Sequence, residues 1–287
     1  MNHFLYSELA NWERGEADAD KAIEKLFAAG FPIDRKTSVL GLKVDSFLKE
    51  MSSEDAVVLF GGDGTLNHFA NQLSEGPLPC PVYLCPTEKG CDFQRDLPMD
   101  FLDAETGLYR IDSLLVGLPV VEVEGKAYRF LNGVGLGIDG ECCIYAEEKK
   151  TRGQKVHYGK IGAGLLLGPY MPATATITVD GGEPKTFHKV YLASTMNGRY
   201  CGGGVAMAPE QDRRSGKITF VCVYGMNRIQ ALILFPRLFK GTHVVKQNNV
   251  FIAQGERVEV NFDRPCGIQI DGEVLTGVTS YKAYVPK

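Results

Sequence analysis

Two short stretches of this chain carry residues whose types and spacing could do chemistry. The first is Gly61-Gly62-Asp63-Gly64-Thr65-Leu66-Asn67. Glycines let a backbone approach a ligand closely, and N–H groups at the start of a following helix favour phosphate. Asp63 inside such a loop would repel phosphate, so it needs a role of its own. It could orient Mg²⁺ through water or activate a nearby hydroxyl. The competing reading is a plain glycine turn capped by Asp63 and Thr65. The second stretch is Asp271-Gly272-Glu273. Two carboxylates flanking a glycine can face one site if the segment bends, and the competing reading is an Asp-Gly hairpin turn. Eight cysteines and five histidines are scattered with no Cys-x-x-Cys pair, which argues against a zinc site and for reduced thiols in a cytoplasmic protein.

These stretches need elements to hold them. From residue 1 to about 105, short apolar runs alternate with helical faces. Ala19, Ala22, Ile23, Leu26 and Phe27 recur at steps of three and four, with Gly30 as a stop. Val44, Phe47, Leu48 and Met51 form a second face, and Leu66, Phe69, Ala70 and Leu73 a third. Ala56–Phe60 reads as a buried parallel strand that feeds the glycine loop, and Val82–Leu84 as another. Strands alternating with helices predict a parallel sheet. From residue 106 to 287 the helices thin out. Runs at 118–123, 127–131, 174–179, 190–195, 218–223, 257–262 and 267–270 predict an antiparallel sandwich or barrel. Two helical interruptions remain, near 140–167 and at 228–240, the latter broken or kinked by Pro236. The expectation is thus an α/β domain over 1–105 and an all-β domain over 106–287, with the extreme C-terminus free to return to the first.

With 287 residues the chain suits two modest domains, or one domain with a large insertion. The formal net charge of −4 provides no broad basic field, so a nucleic-acid partner is not expected. No apolar run is long enough to span a bilayer, and residues 1–16 lack the pattern of a secretory signal.

The run GGDGTLN resembles the nucleotide-binding motif of the diacylglycerol kinase catalytic domain superfamily, which includes sphingosine and ceramide kinases. NAD kinases and phosphofructokinases carry related loops. Later segments select the branch. Phe130-Leu131-Asn132 through Gly137-Ile138-Asp139, Asn197-Gly198, Gly202-Gly203-Gly204, Ala208-Pro209, Gly241-Thr242-His243 and Asp271-Gly272-Glu273 follow the order of the soluble bacterial lipid kinases. The resemblance runs from about residue 3 to 287. It implies a Rossmann-like ATP domain followed by a β-sandwich lipid domain of the NAD kinase/diacylglycerol kinase type, with the active site in the cleft between them. It implies a nucleotide site at Thr37, Gly61, Gly62, Asp63, Gly64, Thr65, Leu66, Asn67 and Lys89. Catalysis would fall to Glu273 as general base, Asp271 as its partner, and Asp63. ATP and Mg²⁺ would be the cofactors and a lipid alcohol such as diacylglycerol the acceptor. Transient contact with the membrane surface and a homodimer would be the further associations.

The sequence departs from the family pattern at five places. The first strand ends in Ser7-Glu8 where Asn-Pro is usual. Glu88-Lys89-Gly90-Cys91-Asp92 stands for Gly-Thr-Gly-Asn-Asp. His68 replaces a glutamate and Gln72 a glycine. Ser215-Gly216 replaces the Asp-Gly of a structural Mg²⁺ site, leaving Asp212 as the nearby substitute. Carboxylates at Glu8 and Glu88 would repel phosphate, and losing an aspartate at 215 weakens a hard cation site. Beside an ATP-dependent lipid kinase, two alternatives stay open: a kinase of a soluble metabolite such as NAD, and a remodelled, weakly active or non-catalytic lipid- or nucleotide-binding protein. Lys149, Lys150, Arg152, Lys155, His157 and Lys160 could meet anionic headgroups, and Leu234, Leu238 and Phe239 could touch a bilayer. Each of these has a bland rival, a solvated face or a helix covering a sheet. Arg95 and Lys89 could screen a triphosphate, or could be ordinary solvated charge.

Overall fold

The computed structural model describes residues 1–8, 15–87, 91–245 and 247–286, with Gln247 described in its backbone alone. The chain divides into two compact units, Met1–Leu118 and Pro119–Lys287. The change of texture near residue 105 precedes this division because the segment after it folds back onto the first sheet.

In the first unit, strands β1 (Asn2–Tyr6), β2 (Arg35–Ser38), β3 (Ala56–Phe60), β4 (Val82–Cys85) and β5 (Tyr109–Arg110) form one sheet in the order 2-1-3-4-5. The first four strands are parallel and β5 runs antiparallel to β4. Parallel strands need cover on both faces. Phe4, Tyr6, Val58 and Phe60 pack with Ala19, Ala22 and Leu26 of helix α1 (Gly15–Ala28). The period-two alternation of a strand turns the equally buried Leu5, Val57 and Leu59 to the other face. Phe27, expected on the apolar face of α1, is exposed, because the buried stripe closes with Ala19, Ala22 and Leu26. Gly30 takes φ +79° just beyond that helix, the left-handed conformation of a helix stop. The remaining helices of this unit are α2 (Val44–Lys49), α3 (Asp63–Ala70), α4 (Asp92–Arg95) and α5 (Asp112–Leu115).

The second unit is built on a ten-stranded sheet. Its strands are β6 (Val120–Val123), β7 (Lys126–Arg129), β8 (Gly133–Gly137), β9 (Ala173–Val179), β10 (Lys185–Val190), β11 (Leu192–Met196), β12 (Ile218–Val223), β13 (Val250–Gly255), β14 (Arg257–Ile270) and β15 (Glu273–Tyr284). Its main path runs 13-12-11-8-14-15-6-7, and β9 joins β10 to β14. The two runs expected at 257–262 and 267–270 are one strand, β14. Register shifts between Asn261 and Cys266 and between Cys266 and Ile268 bend it, so its first half pairs with β9 and its last three residues with β8. Inward residues of these strands, among them Leu136, Phe220, Val260 and Ile268, form the core together with Phe130 from the β7–β8 link. The final strand β15 stays in this unit, paired with β14 and β6.

The helical interruptions are α6 (Ile138–Thr151), α7 (Tyr158–Leu167) and α8 (Arg228–Phe239). Pro236 lies inside α8 without ending it. The start of α8 is fixed by a capping box, in which Asn227 and Gln230 each accept the other's backbone N–H. Helix α6 lies directly on β14. A Cβ at Gly140 would sit 2.1 Å from the Gly267 carbonyl oxygen, and the Gly267 N–H donates to Glu141 Oε1 at 2.9 Å.

Candidate functional site

Strands β1, β2, β3 and β4 are parallel, so their C-terminal ends share one edge. The order 2-1-3-4 reverses direction between β1 and β3, and such switch points are where open α/β sheets bind ligands. Ser7-Glu8 and the glycine loop follow strands ending at that edge, Ser38 is the last residue of β2, and Thr37 lies in β2 beside Leu5. Helix α3 begins at Asp63 with Gly62 as N-cap. The N–H groups of Gly62 and Gly64 meet no acceptor among the described residues, and a Cβ at either would point into open space. That is the opening a phosphate group requires at a helix start. Gly61 has a different duty. A Cβ there would lie 2.3 Å from Thr65 Oγ1, so only glycine lets α3 start so close to β3.

Asp63, the first residue of α3, directs its carboxylate away from its own helix start. Its Oδ2 accepts the Asp92 N–H at 2.9 Å and its Oδ1 the Phe93 N–H at 3.0 Å. It therefore ties the glycine loop to the start of α4. The buried Asp92 in turn pairs with Arg95 at 2.5 Å, so Arg95 is committed to Asp92. Lys89, together with Glu88 and Gly90, lies outside the described residues. Two of the departures from the family pattern compensate each other. His68 Nε2 and Gln72 Nε2 are 2.8 Å apart, one helical turn along α3, and Gln72 Oε1 accepts the Val44 N–H at 3.2 Å. That pair fastens α3 to α2.

In the second unit the remaining motifs converge. Asp271-Gly272 is a two-residue hairpin loop joining β14 to β15, with Ile270 opposite Glu273. Both loop residues have positive φ, +49° and +94°, as a type I′ turn requires. The hairpin and carboxylate readings of this motif are compatible, because the turn aims the Asp271 side chain at Phe130-Leu131-Asn132-Gly133. Asp271 Oδ2 accepts the Leu131 N–H at 2.6 Å, and Oδ1 accepts those of Asn132 and Gly133 at 2.8 and 3.0 Å. Asn197 Nδ2 donates to the Leu131 carbonyl at 2.9 Å, while the Asn197 and Gly198 N–H groups reach the Asn132 carbonyl. Arg213 donates to the Leu131 carbonyl and to Asn132 Oδ1. Asp271, the Asn197-Gly198 pair and Arg213, far apart in sequence, thus meet at one backbone segment. Glu273, two residues from Asp271, is exposed, and its carboxylate has no hydrogen bond or ion pair among the described residues.

Asp139 lies behind this cluster. Its Oδ2 accepts from Gln269 Nε2 at 3.0 Å and from Ser194 Oγ at 3.2 Å, and Gln269 Oε1 accepts the Gly272 N–H at 2.8 Å. Burial pushes the Asp139 carboxyl above the usual range, against those two hydrogen bonds. A Cβ at Gly135 would overlap the Asp139 carboxylate, which explains the glycine in that strand. Asp139 also lines an apolar pocket wholly within the second unit, with a cavity volume of about 80 Å³. Its walls include Ile138, Leu166, Val205, Met207, Phe235 and Leu238, from α6, α7, α8 and the Cys201–Met207 loop. Gly202, Gly203 and Gly204 have φ of +59°, +82° and +108°, a succession that side chains would oppose. His243, fully buried, holds the next loop through Nε2 and the Met207 carbonyl at 2.9 Å.

The loop at 212–217 does not fit a metal. Asp212 Oδ1 accepts the backbone N–H of Arg214 at 2.9 Å and its Nε at 3.3 Å, so a guanidinium sits where a cation would. Ser215 Oγ is 3.4 Å from the Lys217 carbonyl, to which it donates. Among the described residues no three His, Cys, Asp or Glu side chains gather as metal ligands. No described helix is long and apolar enough to cross a membrane.

A mixed sheet with a glycine loop at its switch point, followed by a sandwich carrying a convergent carboxylate turn, defines a two-part kinase architecture. Residues 3–116 match the diacylglycerol kinase catalytic domain, and residues 132–287 match the YegS C-terminal NAD kinase beta sandwich-like domain. The chain belongs to this family and is an enzyme of the diacylglycerol kinase type. It is 21% identical over 276 residues to a diacylglycerol kinase of Bacillus subtilis (strain 168), covering 94% of this chain and 88% of that protein. It is 25% identical over 195 residues to a diacylglycerol kinase of Mycobacterium tuberculosis (strain ATCC 25618 / H37Rv), covering 66% and 62%. Two solved structures from Bacillus anthracis str. Sterne share the fold. One, at 20% identity and TM-score 0.68, covers 100% of this chain and 92% of its own. The other, a diacylglycerol kinase at 17% identity and TM-score 0.61, covers 99% and 93%.

Proposed function

We propose that this enzyme transfers the γ-phosphate of ATP to the hydroxyl of diacylglycerol or a similar lipid alcohol. The observation that carries the acceptor class is the apolar pocket of the second unit. Its walls favour alkyl chains, each buried CH₂ contributing roughly 0.8 kcal/mol. A nucleotide acceptor such as NAD would need many more polar partners than Asp139 and the tyrosines Tyr158 and Tyr191 offer.

On this reading the N–H groups of Gly62 and Gly64 donate to phosphate oxygens, and Thr37 contributes from β2, on the far side of β1. Asp63 keeps the loop in place through Asp92 and Phe93. Mg²⁺ arriving with ATP would neutralise charge on the transferred group. Glu273 accepts the proton of the lipid hydroxyl. The lipid oxygen forms the new bond to the γ-phosphorus, the bond to the bridging oxygen breaks, and ADP leaves. Asp271 serves by fixing the turn that presents Glu273.

The test is label transfer from γ-labelled ATP with Mg²⁺ into mixed micelles of diacylglycerol, sphingosine or ceramide, with Glu273→Gln alongside. Labelled diacylglycerol that vanishes in the variant is expected. Label appearing in a soluble acceptor instead, or full activity of Glu273→Gln, would overturn the reading.

A further inference from the structure

Three neighbouring strands bring Ser194 of β11, Gly135 of β8 and Gln269 of β14 into one row, because Ser194 and Gln269 are each register partners of Gly135. Side chains at paired positions share a face of the sheet. Gly135 contributes none, and the Asp139 carboxylate of α6 fills the space above it. That carboxylate takes both neighbours on one oxygen, Oδ2, with Gln269 Nε2 at 3.0 Å and Ser194 Oγ at 3.2 Å.

Gln269 is out of keeping with its strand. It lies between Ile268 and Ile270, which enter the core on the other face, and it is only 3% exposed. A buried amide costs free energy unless it is hydrogen-bonded. Both ends of this one are. Nε2 holds Asp139 at the wall of the pocket, and Oε1 accepts the Gly272 N–H at 2.8 Å. Gly272 directly precedes Glu273, so one side chain spans from the pocket wall to the turn that carries the proposed base. Asp271 fixes the same turn independently, through the backbone at 131–133. A leucine at 269 would suit the burial but would hold neither group.

The titratable groups near Asp139 are Cys142 and Cys143 on its own helix and Tyr281 on β15. Burial pushes the Cys142 thiol up to about 12 and raises the Cys143 thiol and the Tyr281 phenol well above their ordinary values, so none of them ionises near neutral pH. Among the described residues no Lys, Arg or His bonds to the Asp139 carboxylate. The bond between Asp139 and Gln269 therefore stands without a competing charge.

We infer that Gln269 is a positioning residue for phosphoryl transfer. By joining Asp139 at the pocket wall to the Gly272 N–H, it sets the turn so that Glu273 is presented to an acceptor held in that pocket. This rests on the proposed function for the role of Glu273.

The test replaces Gln269 by glutamate, which keeps the shape. Its carboxylate still accepts the Gly272 N–H but offers Asp139 no proton. Two carboxyls then face each other and stay together only while they share one proton, which leaves as pH rises. Relative to wild type at the same pH, kcat of Gln269→Glu for diacylglycerol is expected within about threefold at ~pH 6 and more than tenfold lower at ~pH 8.5. KM for Mg-ATP should stay unchanged, and the hydrogen-exchange protection of the Gly272 amide should fall together with kcat. Asparagine at 139 supplies the missing N–H. Asp139→Asn/Gln269→Glu is therefore expected to lose that pH dependence and to lie within about threefold of Asp139→Asn alone. Gln269→Glu equal to wild type at every pH would overturn the inference. So would a loss that is the same at every pH and is not relieved by Asp139→Asn, which would reduce Gln269 to packing. Failure of the proposed function shows itself separately, as absence of labelled lipid from wild type while Gly272 protection in Gln269→Glu still falls with pH.

Discussion

Replacing Asp271 by Asn should destabilise the second unit without altering its hairpin. Asparagine tolerates positive φ, so the type I′ turn survives. One amide oxygen can still accept the Asn132 and Gly133 N–H groups in place of Oδ1. The amide nitrogen must then face the Leu131 N–H, which now meets Oδ2 at 2.6 Å. Two charge-assisted bonds become neutral, a loss of about 1 kcal/mol each, and one part-buried donor is left unsatisfied, a loss of about 1–3 kcal/mol. The sum, about 3–5 kcal/mol, should lower Tm of a unit this size by about 10 °C. Scanning calorimetry reads the shift, and hydrogen exchange at Leu131, Asn132 and Gly133 reads its place. Asp271→Ala should cost more, because alanine adds the left-handed backbone penalty. A Tm within about 1 °C of wild type for Asp271→Asn, with those three amides still protected, would refute the argument.

Other outcomes follow from the same geometry. Glu273→Gln should leave Tm nearly unchanged, because the residue is exposed and unbonded, yet reduce phosphoryl transfer by roughly 10²–10⁴-fold. Paired with Asp271→Asn, it separates chemistry from positioning. Gly61→Ala should weaken ATP binding and stability together, since the new Cβ meets Thr65 Oγ1 at 2.3 Å and pushes the start of α3 away; equilibrium dialysis and thermal melts check this. Burial lowers the pKa of both His3 and His243. The unfolded chain therefore takes up protons near pH 6.5 that the folded chain resists, so stability should be full above that value and fall as pH drops through it. His3→Leu, measured by thermal melts between ~pH 7.5 and ~pH 5.5, should flatten that fall.

Much of the first sheet was legible because its signals are local. Ala56–Phe60 is an unbroken apolar run of strand length, and the glycine loop follows it directly. Strand β8, by contrast, reads Gly-Val-Gly-Leu-Gly and carries little strand propensity. Its glycines exist to admit Asp139 over Gly135 and Met196 over Gly133, contacts no local pattern announces. Likewise β2 is a charged edge strand, Arg-Lys-Thr-Ser, recruited by pairing with β1. The long β14 reads as two runs in the sequence because its bend interrupts the alternation that marks a strand.

Sequence alone determined the family's ordered motifs, the two kinds of secondary structure and the glycine loop placed between strand and helix, because each depends on neighbours in the chain. Only the tertiary structure decided what the carboxylates do. Asp63 reaches across 29 residues to Asp92, and Asp271 reaches across 140 to Leu131. It also decided that Asp212 is held by Arg214, and that α8 has one apolar face on a pocket and another in solvent. Hydrogen bonding and burial act through space, and the same residue spacing is compatible with many such arrangements until the chain is folded.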